Sequence, residues 1–150
     1  MLARIIFTLV KFAARKGITP PDAADAKQQA RRTGVRGETY AYWYLRRHGY
    51  IFVARNYTAT GIKGEIDLVG YDGPVLAFVE VKTRTGEHDE FGKPEDAVGH
   101  EKRRALSRMA RQFLAERRIP EANCRFDVLA IESRPGRPPD VRLLKGAFNA

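Results

Sequence analysis

Between residues 101 and 118, apolar side chains recur as Ala105, Leu106, Met109, Ala110, Phe113 and Leu114, backed by Arg103, Arg104, Arg108 and Arg111. That spacing predicts an amphipathic helix. An earlier helix is predicted over residues 35–48, where Ala41, Tyr42 and Leu45 share a face and Gly49 follows Arg46, Arg47 and His48 as a left-handed stop. Glu38 lies three, four and seven residues before those apolar positions, so an acid falls on the inward stripe. Tyr40, Tyr42, Trp43 and Tyr44 crowd the same helix and read as packing residues rather than a base-stacking platform. Residues 50–57, 64–71 and 75–84 have strand character, and Asp72-Gly73-Pro74 marks a turn between the last two, so an antiparallel meander is expected. Residues 125–132 form a further strand, and 141–148 a weaker one. Helix, three strands, helix and one or two strands describe an α/β domain over residues 34–150. Ahead of it, residues 1–33 divide into a short amphipathic helix over 1–15, carried by Leu2, Ile5, Ile6, Leu9, Phe12 and Ala13, and a Pro-containing linker over 17–36.

Charge adds a division into faces. The 150 residues include 27 Lys plus Arg and 18 Asp plus Glu, a formal charge of +9. Residues 1–36 hold eight basic and two acidic groups (+6), 37–134 hold sixteen and fifteen (+1), and 135–150 hold three and one (+2). Within the near-neutral middle, residues 85–98 collect Glu87, Asp89, Glu90, Glu95 and Asp96 against Lys93, whereas 102–118 hold seven basic residues against Glu116. Segregated charge of this kind suits a protein with distinct faces. No run approaches the roughly 20 uncharged apolar residues that span a bilayer, so no stable membrane insertion is expected, and Lys11 breaks the apolar core that a secretory signal needs. Cys124 is the sole cysteine, and His48, His88 and His100 are too scattered for a zinc pattern. A reducing, cytoplasmic location is expected.

The candidate chemistry lies in the meander. Strand alternation puts Leu76, Phe78, Glu80 and Lys82 on one face, so two charged residues continue a face that begins as core. Asp67 interrupts an apolar run in the preceding strand, and the hairpin brings it opposite or diagonal to Glu80, with Cβ atoms about 5–8 Å apart. Carboxylates that close must share a proton, pair with cations or bind a metal. Oxygen ligands without Cys or His favour a hard cation, magnesium first and manganese second. Lys82 is near enough to orient a water or neutralise a phosphate. Glu65 shares a strand face with Asp67 and is a minor candidate.

Taken together, Gly64-Glu65-Ile66-Asp67 and, thirteen residues after Asp67, Glu80-Val81-Lys82 resemble the PD-(D/E)XK nuclease signature. More closely, GVRGETYAYWYLRRHGYIFVARNY, GEIDLV, FVEVKTR, FGKPEDAV, Lys102 and RFDVLAI resemble the YraN family of bacterial endonuclease-like proteins, over about residues 34–132. The resemblance implies a restriction-endonuclease-like core, with a mixed sheet flanked by helices, related to Holliday-junction resolvases. It implies Asp67 and Glu80 as metal ligands, the Val81 carbonyl as a further ligand, Lys82 as the catalytic lysine and Glu38 as the acid completing the site. It gives Lys102 the role of a contact to substrate phosphate. Arg103, Arg104, Arg108 and Arg111 read either as a solvated face or as a DNA-binding one, and Arg84 either as a phosphate contact or as a partner of the acidic stretch. The expected activity is magnesium-dependent hydrolysis of DNA, with no small-molecule substrate, and a homodimer would suit paired cuts on two strands. Two rival readings are a nucleic-acid-binding module without catalysis and a membrane-surface adaptor using the N-terminal helix.

Overall fold

The turn at Asp72-Gly73-Pro74 sets the frame of the molecule. In the computed structural model, which describes residues 1–15, 26–85 and 98–149, it joins β2 (Ile66–Asp72) to β3 (Val75–Thr85) in register from Asp72 opposite Val75 to Leu68 opposite Val79. β1 (Ile51–Tyr57) pairs antiparallel with β2, completing the expected meander. The chain then passes through helix α3 (His100–Arg117) and returns as β4 (Cys124–Ser133), parallel to β3, before β5 (Asp140–Phe148) closes the sheet antiparallel to β4. The sheet order is β1-β2-β3-β4-β5. One face carries α3; the other carries α1 (Leu2–Ala14) and α2 (Ala26–Arg47). The α/β class and the mixed sheet agree with a restriction-endonuclease-like core.

Alternation along β3 separates the two cores. Leu76 and Phe78 pack with Leu106, Met109, Ala110 and Phe113 of α3, while Ala77 and Val79 pack with Tyr40, Ala41 and Leu45 of α2. The aromatic cluster of α2 is packing, as its pattern suggested: Tyr40 is buried, and Tyr42, Trp43 and Tyr44 lie against the same core. Gly49, at φ +94°, ends α2 where the sequence places a left-handed glycine, which has no Cβ to clash there.

The linker expected over residues 17–36 is corrected in its second half. Residues 16–25 lie outside the described residues, but from Ala26 the chain is helical, and α2 runs through the expected boundary at 33/34. Gly34 and Gly37 weaken a helix by about 1 kcal/mol each relative to alanine, and the polar run before them hides any apolar period. Burial of Thr33 and Gly37 overrides that local preference. The remaining element boundaries differ from expectation by one or two residues. The acidic stretch falls almost wholly on residues 86–97, outside the described residues.

At the Asp72 end of β2 a closed charge network ties three strands together. Asp127 has no exposed surface; its Oδ1 accepts from Arg125 Nε at 2.8 Å and from the Gly146 amide at 2.9 Å. Its Oδ2 accepts from Arg125 at 3.1 Å and from the Tyr50 hydroxyl at 3.2 Å. Arg125 and Lys145 each reach Asp72 at 2.6 Å, and these two bonds hold the Asp72 carboxyl below its usual range. Asp127→Ala is expected to cost about 3 kcal/mol or more, because it leaves Arg125 partly buried and short of partners. Urea unfolding of the two proteins checks this, and a loss below about 1 kcal/mol would show that the network does not hold the strands.

Candidate metal centre

β3 outlasts β2. Their ladder stops at Leu68 and Val79, while β3 continues to Thr85, paired there only with β4. The next step of the register sets Asp67 opposite Glu80, one of the two placements that the hairpin allows. In the gap, Asp67 Oδ2 accepts the Val81 amide at 2.7 Å, filling a place that a continued β2 would have filled. Both carboxylates are buried, Asp67 at 7% exposure and Glu80 at 3%.

Helix α2 brings the third acid because a glycine lets it approach. A Cβ on Gly37 would stand 1.8 Å from Thr83 Oγ1 and 2.9 Å from Thr83 Cβ, so no larger residue fits against β3. The next residue, Glu38, accepts from Asn56 Nδ2 at 3.0 Å, and Asn56 itself holds the left-handed φ of +48° within β1. One oxygen each of Glu38, Glu65 and Asp67 lie within 4.8 Å of one another. Glu65 precedes β2 rather than lying on it, so it reaches Asp67 from the loop after Gly64 and not by strand alternation.

Glu80 is held differently. Its Oε1 pairs with Lys82 Nζ at 3.1 Å and accepts from Lys102 Nζ, which reaches down from the first turn of α3. Its Oε2 is buried and, among the described residues, has no hydrogen-bond partner. A cleft of about 530 Å³ opens here between α2, the ends of β2 and β3, and Lys102, and is lined by Glu38, Asp67, Glu80, Val81 and Lys82.

The electrostatics follow from that crowding. Burial, then the charges of Glu80 and Glu38, push the Asp67 carboxyl up to about 7, against the opposing Val81 amide and Lys102. Burial pulls the Lys102 ammonium down, but its hydrogen bond and charge contact with Glu80 outweigh that and raise it. Among the described residues the acids thus outnumber the cations that reach them, and one buried oxygen lacks a donor. A donor set made wholly of carboxylates, with an orphaned oxygen, fits a hard metal cation. The cluster of Glu38, Glu65 and Asp67 can hold one.

The sequence-derived candidates divide in space. Glu38, Asp67, Glu80, Val81, Lys82 and Lys102 meet at the cleft. Arg84 is exposed, stands in register with Glu132 of β4, and does not line it. Arg103, Arg104, Arg108 and Arg111 line a second cleft of about 520 Å³ with His100, Ser107 and Phe148. The basic helix therefore has two faces: Lys102 serves the acids, and the arginines face elsewhere. Asn56 and Gly37 escaped sequence reasoning. The one available sign for Asn56 was its tolerance of positive φ in an otherwise strand-like run, and Gly37 looked like a helix breaker.

The raised Asp67 value carries a pH signature. Its folded value lies above the unfolded one of 3.8, so the folded state holds this proton more tightly and loses stability as pH rises from about 4 to about 7. Asp67→Asn keeps an acceptor for the Val81 amide without the charge. In chelator, it is expected to be more stable than the unmodified protein at about pH 8, by on the order of 1–3 kcal/mol in urea unfolding, with the gap closing toward about pH 5. Magnesium or manganese is expected to raise the melting temperature of the unmodified protein at the higher pH and to act less on the variant. A gap independent of pH, with no divalent-ion effect, would remove the metal centre.

Comparisons with known proteins agree with the family resemblance read from the motifs. A family model described as "Uncharacterised protein family UPF0102" matches residues 37–131. The chain is 43% identical over 118 residues to a UPF0102 protein of Koribacter versatilis, covering 78% of this chain and 79% of that one. It is 43% identical over 121 residues to one of Symbiobacterium thermophilum, covering 81% and 99%, and 43% identical over 115 residues to one of Geobacter metallireducens, covering 77% and 90%. The matched segment holds every residue of the acidic cleft from Glu38 to Lys102, and the chain belongs to the UPF0102 family.

Proposed function

We propose that the protein is a magnesium- or manganese-dependent endonuclease that hydrolyses DNA phosphodiester bonds in the cytoplasm. The observation that carries this reading is the buried Glu80 carboxylate, with one oxygen held by two lysines and the other orphaned, facing Asp67 at the mouth of an acidic cleft. A bound divalent ion would supply Lewis acidity toward a phosphate oxygen and acidify water. Asp67 and Glu80, with Glu38 and Glu65, would hold that ion, and the Val81 carbonyl is the backbone group beside them. Lys82 supplies a cation without ligand capacity: its side chain is about a third exposed, and its ammonium can orient a water or neutralise phosphate charge. Lys102 fixes Glu80. Arg104, Arg108 and Arg111, exposed at i, i+4 and i+7 on α3, form a stripe for the DNA backbone, with Arg103 beside them. Arg84 lies just outside the cleft as a further phosphate contact.

One observation favours a second reading. Lys82 and Lys102 already satisfy Glu80 Oε1, and a module that only binds DNA would keep that pairing. Incubating the protein with branched and linear DNA, with magnesium, manganese or chelator, separates the two. Glu80→Ala is expected to abolish cleavage while keeping or strengthening DNA binding. Lys82→Ala is expected to abolish cleavage with metal binding retained. If no substrate is cut with either metal and both variants change affinity only modestly, the binding module replaces the nuclease.

The arginine stripe is testable separately. For the unmodified protein, log K is expected to fall with log salt by about 0.9 per phosphate neutralised, and Arg104→Ala with Arg108→Ala and Arg111→Ala should flatten that slope by up to roughly three contacts. An unchanged slope and affinity would make the stripe a solvated face.

A further inference from the structure

Helix α1 has two apolar sides, and the fold uses one of them. Phe7 and Ala14 are buried against α2, with the Phe7 ring 5.5 Å from Tyr40 and 5.8 Å from Tyr44, and Arg47 over it at 5.4 Å. Leu2, Ile5, Leu9 and Phe12 are 70%, 54%, 65% and 66% exposed. At about 100° per residue these four fall within an arc of about 80°, roughly opposite Phe7 and Ala14. Arg4, Lys11 and Arg15 gather within about 40° on one side of the helix, between that stripe and the buried Phe7, and residues 1–15 contain no acid. The helix cannot roll its exposed stripe inward without expelling Phe7 and Ala14. Its far end is pinned too, since the Gly136 amide donates to the Arg15 carbonyl at 3.1 Å, which brings exposed Arg137 alongside.

We propose that α1 is a membrane-docking helix that lies on an anionic bilayer. Leu2, Ile5, Leu9 and Phe12 enter the acyl boundary, while Arg4, Lys11 and Arg15 meet lipid phosphates. The 13-residue helix is about 20 Å long, and no helix among the described residues is long and apolar enough to cross a membrane, so α1 rests on the surface. Charge decides the occupant. A second copy seated stripe to stripe would cover the apolar ridge and leave the three cations with no acid from α1 to pair them, whereas anionic headgroups complement both the cations and the ridge. The proposal is independent of the nuclease reading: α1 lies outside residues 37–131 and lines neither cleft.

Sedimentation of the full chain with vesicles tests it. Binding is expected to vesicles of equimolar phosphatidylglycerol and phosphatidylcholine, at least about tenfold weaker to phosphatidylcholine alone. Leu9→Glu with Phe12→Glu should abolish it, and Arg4→Gln with Lys11→Gln should weaken it by about tenfold. The triple alanine variant of Arg104, Arg108 and Arg111 should bind vesicles like the unmodified protein. Circular dichroism and melting verify folding, and Leu9→Ser with Phe12→Ser replaces the glutamate pair if that pair unfolds. The proposal is overturned by absence of binding to anionic vesicles, by retention in the folded stripe variant, or by loss in the α3 triple variant alone. A dimer seen by sedimentation velocity that the stripe variant dissociates, without vesicle binding, gives the stripe to a second copy and also overturns it.

Discussion

Two carboxylates, Asp67 and Glu80, are buried across from each other at the point where one strand of a hairpin stops and the other continues. Each would lose several kcal/mol on leaving water without compensation, and each is compensated in its own way. Asp67 takes the Val81 amide that the broken ladder leaves over, and its carboxyl is pushed up to about 7. Glu80 draws Lys82 from its own strand and Lys102 from the first turn of α3. The position of α3 and the close approach of α2 through Gly37 both answer to this one spot. The sheet carries buried charge at both ends of β2, and the acids that crowd together lie at the end where the β2·β3 ladder fails.

The two ends of β2 make an informative contrast. Around Asp72, Arg125 and Asp127 the charges form a closed set in which both oxygens of the buried Asp127 are occupied. Around Asp67 the set is open: acids gather within 4.8 Å, and among the described residues Glu80 keeps a buried oxygen without a donor. A closed network locks strands together, whereas an open one in a cleft leaves room for something from outside the chain. The basic residues show a similar division. Lys102 belongs to the acids, and Arg104, Arg108 and Arg111 face solvent on another side of the same helix. Consecutive positions on a helix point about 100° apart, so a single run of cations can serve two unrelated surfaces.

The sequence by itself determined the α/β class, the antiparallel meander and its turn, the inward stripe of α3, and the carboxylate pair with its lysine. All of these rest on short-range periodicity: alternation by two, recurrence near 3.6, and a turn whose residues are local. Asp67 and Glu80 could be matched because a tight hairpin converts separation along the chain into a distance. What only the tertiary structure decided depends on groups far apart in sequence. Residues 26–34 continue α2, in which Thr33 is buried and Gly37 meets Thr83 of β3, although their local composition reads as a linker. Glu65 joins Glu38 because β2 begins at Ile66, so its place is set by a loop and not by strand alternation. Lys102 parts from its arginine neighbours because α3 sits with its first turn above Glu80, and α1 keeps an apolar stripe outside because Phe7 already fills its place on α2. Periodicity states which residues share a face of an element; only the packing of one element on another states what that face meets.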